Sequence, residues 1–410
     1  MVSRLIILSI ILLIIDLLAF QALRSILGSS GKTIKVVSYI LYWSIPLVTL
    51  AYMISFAIGW SEQFPKGIKL TLRSLIFIFY FAKLLIAAII LIDDLRRLIF
   101  GALNLGLKDW KLSTERSQWM SYIGIALGMI PVLSLTYGMA RNPYRYQLLK
   151  NKLAIKNLHP DLWGLKIVQI SDIHSGSFLL KEPVERSIQI INEQQPDIVF
   201  FTGDLVNAMA AEMEPFVEMF SKISAPLGVY SILGNHDYGD YHQWPAPSDK
   251  VKNFEYLKSI HKQLGWDLLL NEHRQIQIKE TAITVIGVEN YSAHPRFPKY
   301  GDLHKATTGL NASGFNILLS HDPSHWEDQV LKLFKNIHLT LSGHTHGFQF
   351  GVEIPGFFKW SPIQYMYKQW AGLYESESQY LYVNRGLGYL GYPGRVGILP
   401  EITLLTLEAA

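Results

Sequence analysis

Residues 197–207 read Asp197-Ile198-Val199-Phe200-Phe201-Thr202-Gly203-Asp204-Leu205-Val206-Asn207, and the reading of this stretch decides the fold. The β-branched and aromatic run predicts a buried strand. Gly203 then permits a sharp turn that aims the Asp204 carboxylate at the strand end. Open α/β sheets take their ligands outside the carboxyl ends of the strands. Working outward, the same order of apolar run and polar cluster recurs. Leu165–Ile170 precedes Asp172-Ile173-His174, and Gly228–Leu233 precedes Gly234-Asn235-His236-Asp237. Asn316–Leu319 precedes Ser320-His321-Asp322, and Ile337–Leu341 precedes Gly343-His344-Thr345-His346.

These residue types suit borderline divalent ions such as Mn, Fe or Zn. Asp204 has two oxygens and could bridge two cations, while Asn235 can offer its carbonyl oxygen. In an extended chain His344 and His346 share one face, so both rings can enter one site. His321 would add one more nitrogen. His236 is placed to donate a proton, with Asp237 able to fix its tautomer and raise its pKa. Two such ions together can clamp a phosphoryl group and ionise a water. One Asp-x-His arises by chance in many proteins, and one histidine is as often structural as functional. Five ordered motifs, each after a strand-like run, are not such a coincidence.

The set resembles the calcineurin-like metallophosphoesterases over about residues 163–407, in particular the membrane-anchored bacterial branch. The resemblance implies a four-layer αββα sandwich, two divalent metal ions, and hydrolysis of phosphodiester, phosphomonoester or pyrophosphate bonds by a metal-activated hydroxide. It implies that Asp172, His174, Asp204 and His346 hold one metal. Asp204, Asn235, His321 and His344 would hold the other, with Asp204 bridging. His236, supported by Asp237, would protonate the leaving oxygen. Asn207 departs from the second aspartate of the family pattern, and Phe348 from a frequent glycine. Neither departure removes a ligand.

The first third of the chain has another character. Long apolar stretches near residues 5–23, 36–60, 70–92 and 118–139 each approach the roughly 20 residues needed to cross a bilayer. A helical membrane domain is expected over 1–140, a basic linker over 141–162, and the phosphoesterase domain over 163–410. The segment Leu95 to Leu107 mixes Arg96, Arg97 and Asn104 with apolar residues and predicts an interfacial helix. Asp16 and Lys83 fall near the middles of two parallel spans, where charges need a partner. The expected partner is a lipid bilayer, in a bacterial cell or inner membrane. Basic flanking residues divide evenly between the two sides; the more basic C-terminal flank of the first span tips the catalytic domain to the extracytoplasmic side. The net charge of +4 is mild, and no basic tract interleaved with aromatics points to nucleic acid. There are no cysteines, which excludes thiolate ligands.

An insert at 350–379 carries Phe350, Phe357, Phe358, Trp360, Tyr365 and Trp370 beside the last histidines. It reads either as a packed loop or as a lip against the bilayer; a lip would make the substrate lipid-linked. Arg385 and Arg395 are candidates to touch substrate phosphate, or for surface and sheet-edge roles. An alternative reading makes residues 1–140 a transport or sensing module regulated by a metal-binding domain.

Overall fold

A computed structural model of the chain describes residues 2–106, 111–310, 314–354 and 356–410. It divides into two units, Met1–Met139 and Ala140–Ala410. In the first unit, α1 (Val2–Ile26), α2 (Lys32–Ala57), α3 (Lys66–Leu103) and α4 (Gln118–Arg141) are long and apolar enough to cross a membrane. Their apolar side chains stay largely exposed, as lipid-facing residues must; Ile10, Ile40, Leu47 and Leu133 are examples. Asp16 on α1 and Lys83 on α3 are both buried and meet at 2.6 Å. Tyr80 donates to the second Asp16 oxygen at 2.8 Å, and Tyr42 on α2 donates to the Asp16 carbonyl at 2.7 Å.

The interfacial helix expected from Leu95 is not a separate element. Its last residue, Leu107, lies outside the described residues, and the rest up to Leu103 continues α3, a helix of 38 residues. Nothing between residues 92 and 100 breaks a helix, and two i,i+3 pairs, Asp93–Arg96 and Asp94–Arg97, support it there. At 1.5 Å per residue α3 is about 57 Å long. That is well beyond the ~30 Å hydrocarbon thickness, so its charged end need not be in lipid.

The linker expected over 141–162 is also corrected. Residues 147–155 form β1 (Gln147–Ile155), an edge strand parallel to β14 (Glu401–Ala409). Leu153 and Ile155 turn inward while Lys150 and Lys152 face out. Exposed lysines on an edge strand discourage pairing with other chains, and they are what gave the segment its linker-like composition.

The second unit stacks two sheets. One runs β1-β14-β2-β3-β4-β5, with β2 (Lys166–Ile170), β3 (Ile198–Phe201), β4 (Val229–Ser231) and β5 (Asp267–Leu268) mutually parallel. The other runs β12-β13-β9-β8-β7-β6, from β6 (Glu272–Ile278) and β7 (Thr281–Gly287) through β8 (Phe315–Leu319) and β9 (Leu339–Ser342) to β12 (Gly372–Ser376) and β13 (Gln379–Val383). Between the sheets Ile167, Phe200 and Ile232 pack with Ile283, Ile317 and Leu339. Val184, Ile188 and Ile191 of α5 (Glu182–Glu193), Phe220 of the single-turn α6 (Val217–Phe220), and Leu257 and Ile260 of α7 (Pro247–Gln263) cover the outer face of the first sheet. Leu303 and Ala306 of α8 (Leu303–Ala306), with Trp326 and Val330 just before α9 (Leu331–Leu333), cover the second. This is the expected αββα order. It brings the carboxyl ends of β2, β3 and β4 in one sheet, and of β8 and β9 in the other, to one rim. A small ribbon, β10 (Val352–Ile354) with β11 (Phe358–Trp360), stands apart from both sheets.

Candidate metal centre

Each candidate ligand follows one of those five strands, and most sit where the backbone reverses. Asp172, His174, Asp204, His344 and His346 have φ of 50°, 45°, 61°, 70° and 50°. Non-glycine residues take this left-handed form at a cost of about 1–2 kcal/mol each, and such strain gathers at functional sites. The glycines before Asn235 and His344 act by close approach. A Cβ at Gly234 would collide with the Asp204 carboxylate, and one at Gly343 with the Ser171 hydroxyl and the Asp172 carboxylate. The carboxylates sit where only a bare backbone leaves room.

The ligand atoms fall into two groups. Asp172, His174 and His346 offer one atom each within 4.8 Å of one another, and so do Asp204, His321 and His344. Asp204 joins the groups: its Oδ2 lies 3.5 Å from His174 Nε2 and 3.2 Å from His321 Nε2. His174 Nε2 and His346 Nε2 are 3.0 Å apart, two nitrogens turned toward one point. Among the described residues Asn235 Oδ1 is buried with no hydrogen-bond partner, while its Nδ2 donates to Tyr241 at 2.9 Å. An orphaned amide oxygen beside such groups suits a cation, so the donors fit two divalent ions.

The charges agree with that fit. Burial alone would push His321 down, yet the negative charges of Asp204 and Asp172 hold it at about 10. Burial would likewise raise Asp204, but the neighbouring histidines His321, His236 and His174 keep it well below the usual carboxylate range. His174, deep and flanked by other imidazoles, is lowered to about 3 and stays neutral despite Asp204. Ionised carboxylates and neutral imidazoles are the forms that bind metals, so Asp204 and His174 stand ready while His321 would exchange its proton for a cation.

What stands behind the rings differs between the groups. His321 Nδ1 pairs with the Thr202 carbonyl at 2.7 Å, which turns Nε2 inward. His344 Nε2 meets the Tyr367 hydroxyl at 2.9 Å, and that hydroxyl donates to Asp322 at 3.1 Å. Behind His346 stands a cation instead, with Arg395 Nη2 3.4 Å from Nδ1.

Two expectations about supporting residues are corrected. Asp237 does not touch the His236 ring. Its carboxylate accepts backbone N–H groups of Asp204, Leu205 and Gly234 at 2.8–2.9 Å, tying the ends of β3 and β4 together. Burial and the Asp204 charge raise it to about 7. His236 Nδ1 is held by the Asn207 carbonyl at 2.6 Å, so the backbone fixes its tautomer and leaves Nε2 free. The candidate substrate arginines do not lie at the surface either. Arg385 is buried between Glu401 and Glu353, and Arg395 is buried on the carbonyls of Gly386 and Gly388. An exposed cation that sequence reasoning passed over is Arg296, stacked on Phe297, whose ring is 4.7 Å from that of His344. Tyr241 was also passed over, and Tyr367 stood out only as one more aromatic of the 350–379 insert. Phe348 has φ of 59°, which explains why glycine suits its position.

Two groups of candidate metal ligands at one rim of an αββα sandwich point to the metallophosphoesterase class. Residues 165–348 match the family model described as calcineurin-like phosphoesterase, and residues 3–143 match "Probable Calcineurin-like phosphoesterase, transmembrane domain". An uncharacterized metallophosphoesterase of Bacillus subtilis, YkuE, is 30% identical over 67% of this chain and 90% of its own length. The chain therefore belongs to the calcineurin-like metallophosphoesterases. Its N-terminal helices and relatives make it an integral membrane protein of that family. A "Transmembrane protein with metallophosphoesterase domain" of Danio rerio is 32% identical over 70% of this chain, and the corresponding Bos taurus protein is 31% identical over 63%. The match spans 62% and 56% of the lengths of those two relatives.

Proposed function

We propose that the chain hydrolyses phosphodiester, phosphomonoester or pyrophosphate bonds, lipid-linked ones included, at a site holding two divalent ions. The observation that carries this reading is the pair of ligand groups joined by Asp204, with the orphaned Asn235 oxygen beside them. Asp172, His174, Asp204 and His346 would hold one ion, and Asp204, Asn235, His321 and His344 the other. When bound, the ions would lower the pKa of a water and neutralise charge on the phosphoryl oxygens. His236, in its doubly protonated form with Nδ1–H donated to the Asn207 carbonyl, would give its Nε2 proton to the leaving oxygen and return to the neutral ring. Arg296 would steady a phosphate oxygen from the rim. Asp237 would keep the β3 and β4 turns in register and take no part in the proton transfer.

The test is hydrolysis of bis-p-nitrophenyl phosphate and of the monoester by the full chain in nanodiscs, with Mn added and with chelator. Metal-dependent turnover that disappears in Asp204→Asn supports the reading. Absence of turnover on both esters with metal bound would sink it for these substrate classes.

A further inference from the structure

The ribbon after the last metal-site histidine is built inside out. Directly paired residues of an antiparallel ribbon share a side, so Val352, Trp360, Ile354 and Phe358 lie on one side, Glu353 and Lys359 on the other. On a soluble domain the apolar side would face the core. Here the polar side faces it. Glu353 receives Arg385 at 2.6 Å, and Lys359 donates to the Ala371 carbonyl at 2.6 Å and to the Tyr374 hydroxyl at 3.0 Å. Val352, Ile354 and Phe358 are left exposed, and Phe357 at the turn is 86% exposed. Phe348 before the ribbon, and Tyr365 and Met366 after it, are exposed as well. Arg385, itself buried and fixed by Glu401, holds this orientation through its ion pair with Glu353, so it is not a fraying loop.

The root of the ribbon is tied to the segment that follows α4. Asn142 is the first residue after α4, and its Nδ2 donates to the Arg395 carbonyl at 2.8 Å. The following residue, Val396, accepts from Gly351 N at 2.9 Å and donates to Gln349 at 2.8 Å. The ribbon therefore starts one residue away from the residue that fastens the chain as it leaves a membrane-spanning helix. The Arg395 side chain also reaches His346 of the metal centre. Phe, Tyr and Trp with a lysine behind them are the composition that settles at the lipid–water interface.

We propose that the ribbon Val352–Trp360 seats its apolar side in the headgroup region of the bilayer that anchors this chain, and so holds the metal centre against phosphate esters presented at a lipid surface. The second half of this proposal rests on the phosphoesterase reading above; the first half does not.

The absence of cysteine in the chain makes the test clean. Phe357→Cys, and Val251→Cys on exposed α7 as a control, are each labelled with a fluorophore in the full chain reconstituted in phosphatidylethanolamine/phosphatidylglycerol nanodiscs. Doxyl lipids are expected to quench the label at 357 about twofold or more beyond that at 251, with iodide showing the reverse order. Equal access of iodide to both labels would overturn the proposal. So would protection of the label at 357 from both quenchers, the mark of cover by protein or a second copy. Hydrolysis of bis-p-nitrophenyl phosphate by the same samples reports on the metal centre separately. Turnover with a water-exposed 357 sinks the ribbon proposal alone, whereas a lipid-quenched 357 without turnover sinks the phosphoesterase reading alone.

Discussion

The two halves of the candidate centre have like donors and unlike surroundings. Behind His344 lie a tyrosine hydroxyl and the Asp322 carboxylate; behind His346 lies the buried Arg395 guanidinium. A carboxylate behind a ligand imidazole strengthens it as a donor, and a fixed cation beside a metal position weakens binding there. If both halves take an ion, the half built on Asp204, His321 and His344 would thus be the tighter of the two, and the half built on Asp172, His174 and His346 the looser. Like donors do not make equivalent sites when the shell behind them differs in sign.

Several changes break or sharpen that contrast, and the largest effect belongs to the residue shared by both halves. Asp204→Asn is expected to reduce turnover on the order of 10³-fold or more, beyond what a single charge-stabilising donor supplies. It should also lower metal content in both halves, read by elemental analysis. His236→Gln removes a ligand from neither half: turnover should fall about 10²–10⁴-fold with metal content unchanged. A loss of metal in that variant would move His236 from proton donor to ligand. Asp322→Asn addresses the tighter half and should weaken one of two calorimetric metal-binding steps about 10–100-fold. Arg395→Met should move the other step the opposite way, toward tighter binding, with circular dichroism confirming the fold. Parallel changes in both steps would erase the inequivalence.

The smallest effect is a background that any pH series must subtract. His261 is not among the candidate ligands; it is fully buried, with Nδ1 3.0 Å from Ser231 Oγ, and burial lowers its pKa to about 3. Unfolded, it titrates near 6.5, so below that pH the unfolded chain binds the extra proton. Its contribution is complete above about pH 6.5 and is lost as pH falls toward 3, by at most about 1.4 kcal/mol per pH unit. Denaturant melts at pH 7 and pH 5 should differ accordingly, and His261→Gln should flatten the difference.

Local pattern carried much of this protein, because its signals are short-range. A β-branched run, a glycine and then a polar group occupy a few adjacent residues, so the strand ends bearing Asp172, Asp204, Asn235, His321 and His344 were legible in the chain. The four apolar stretches were legible for the same reason, since about 20 residues of one character suffice to span a bilayer. The pairing of Asp16 with Lys83 could be foreseen from their equal depth on helices running the same way.

Tertiary structure alone decided what depends on contacts across long sequence separations. Only the sheet pairing with Glu401–Ala409 makes 147–155 a strand. Only the fold shows that Asn207, not Asp237, orients His236, and that Arg385 is consumed in holding a ribbon with its polar side inward. Tyr367 reaches His344 from an insert whose sequence marks it merely as aromatic. Composition tells which side chains can ligate or bury. Which of them stand behind a ligand, and with what sign of charge, is a property of neighbours that the chain brings together only when it closes on itself.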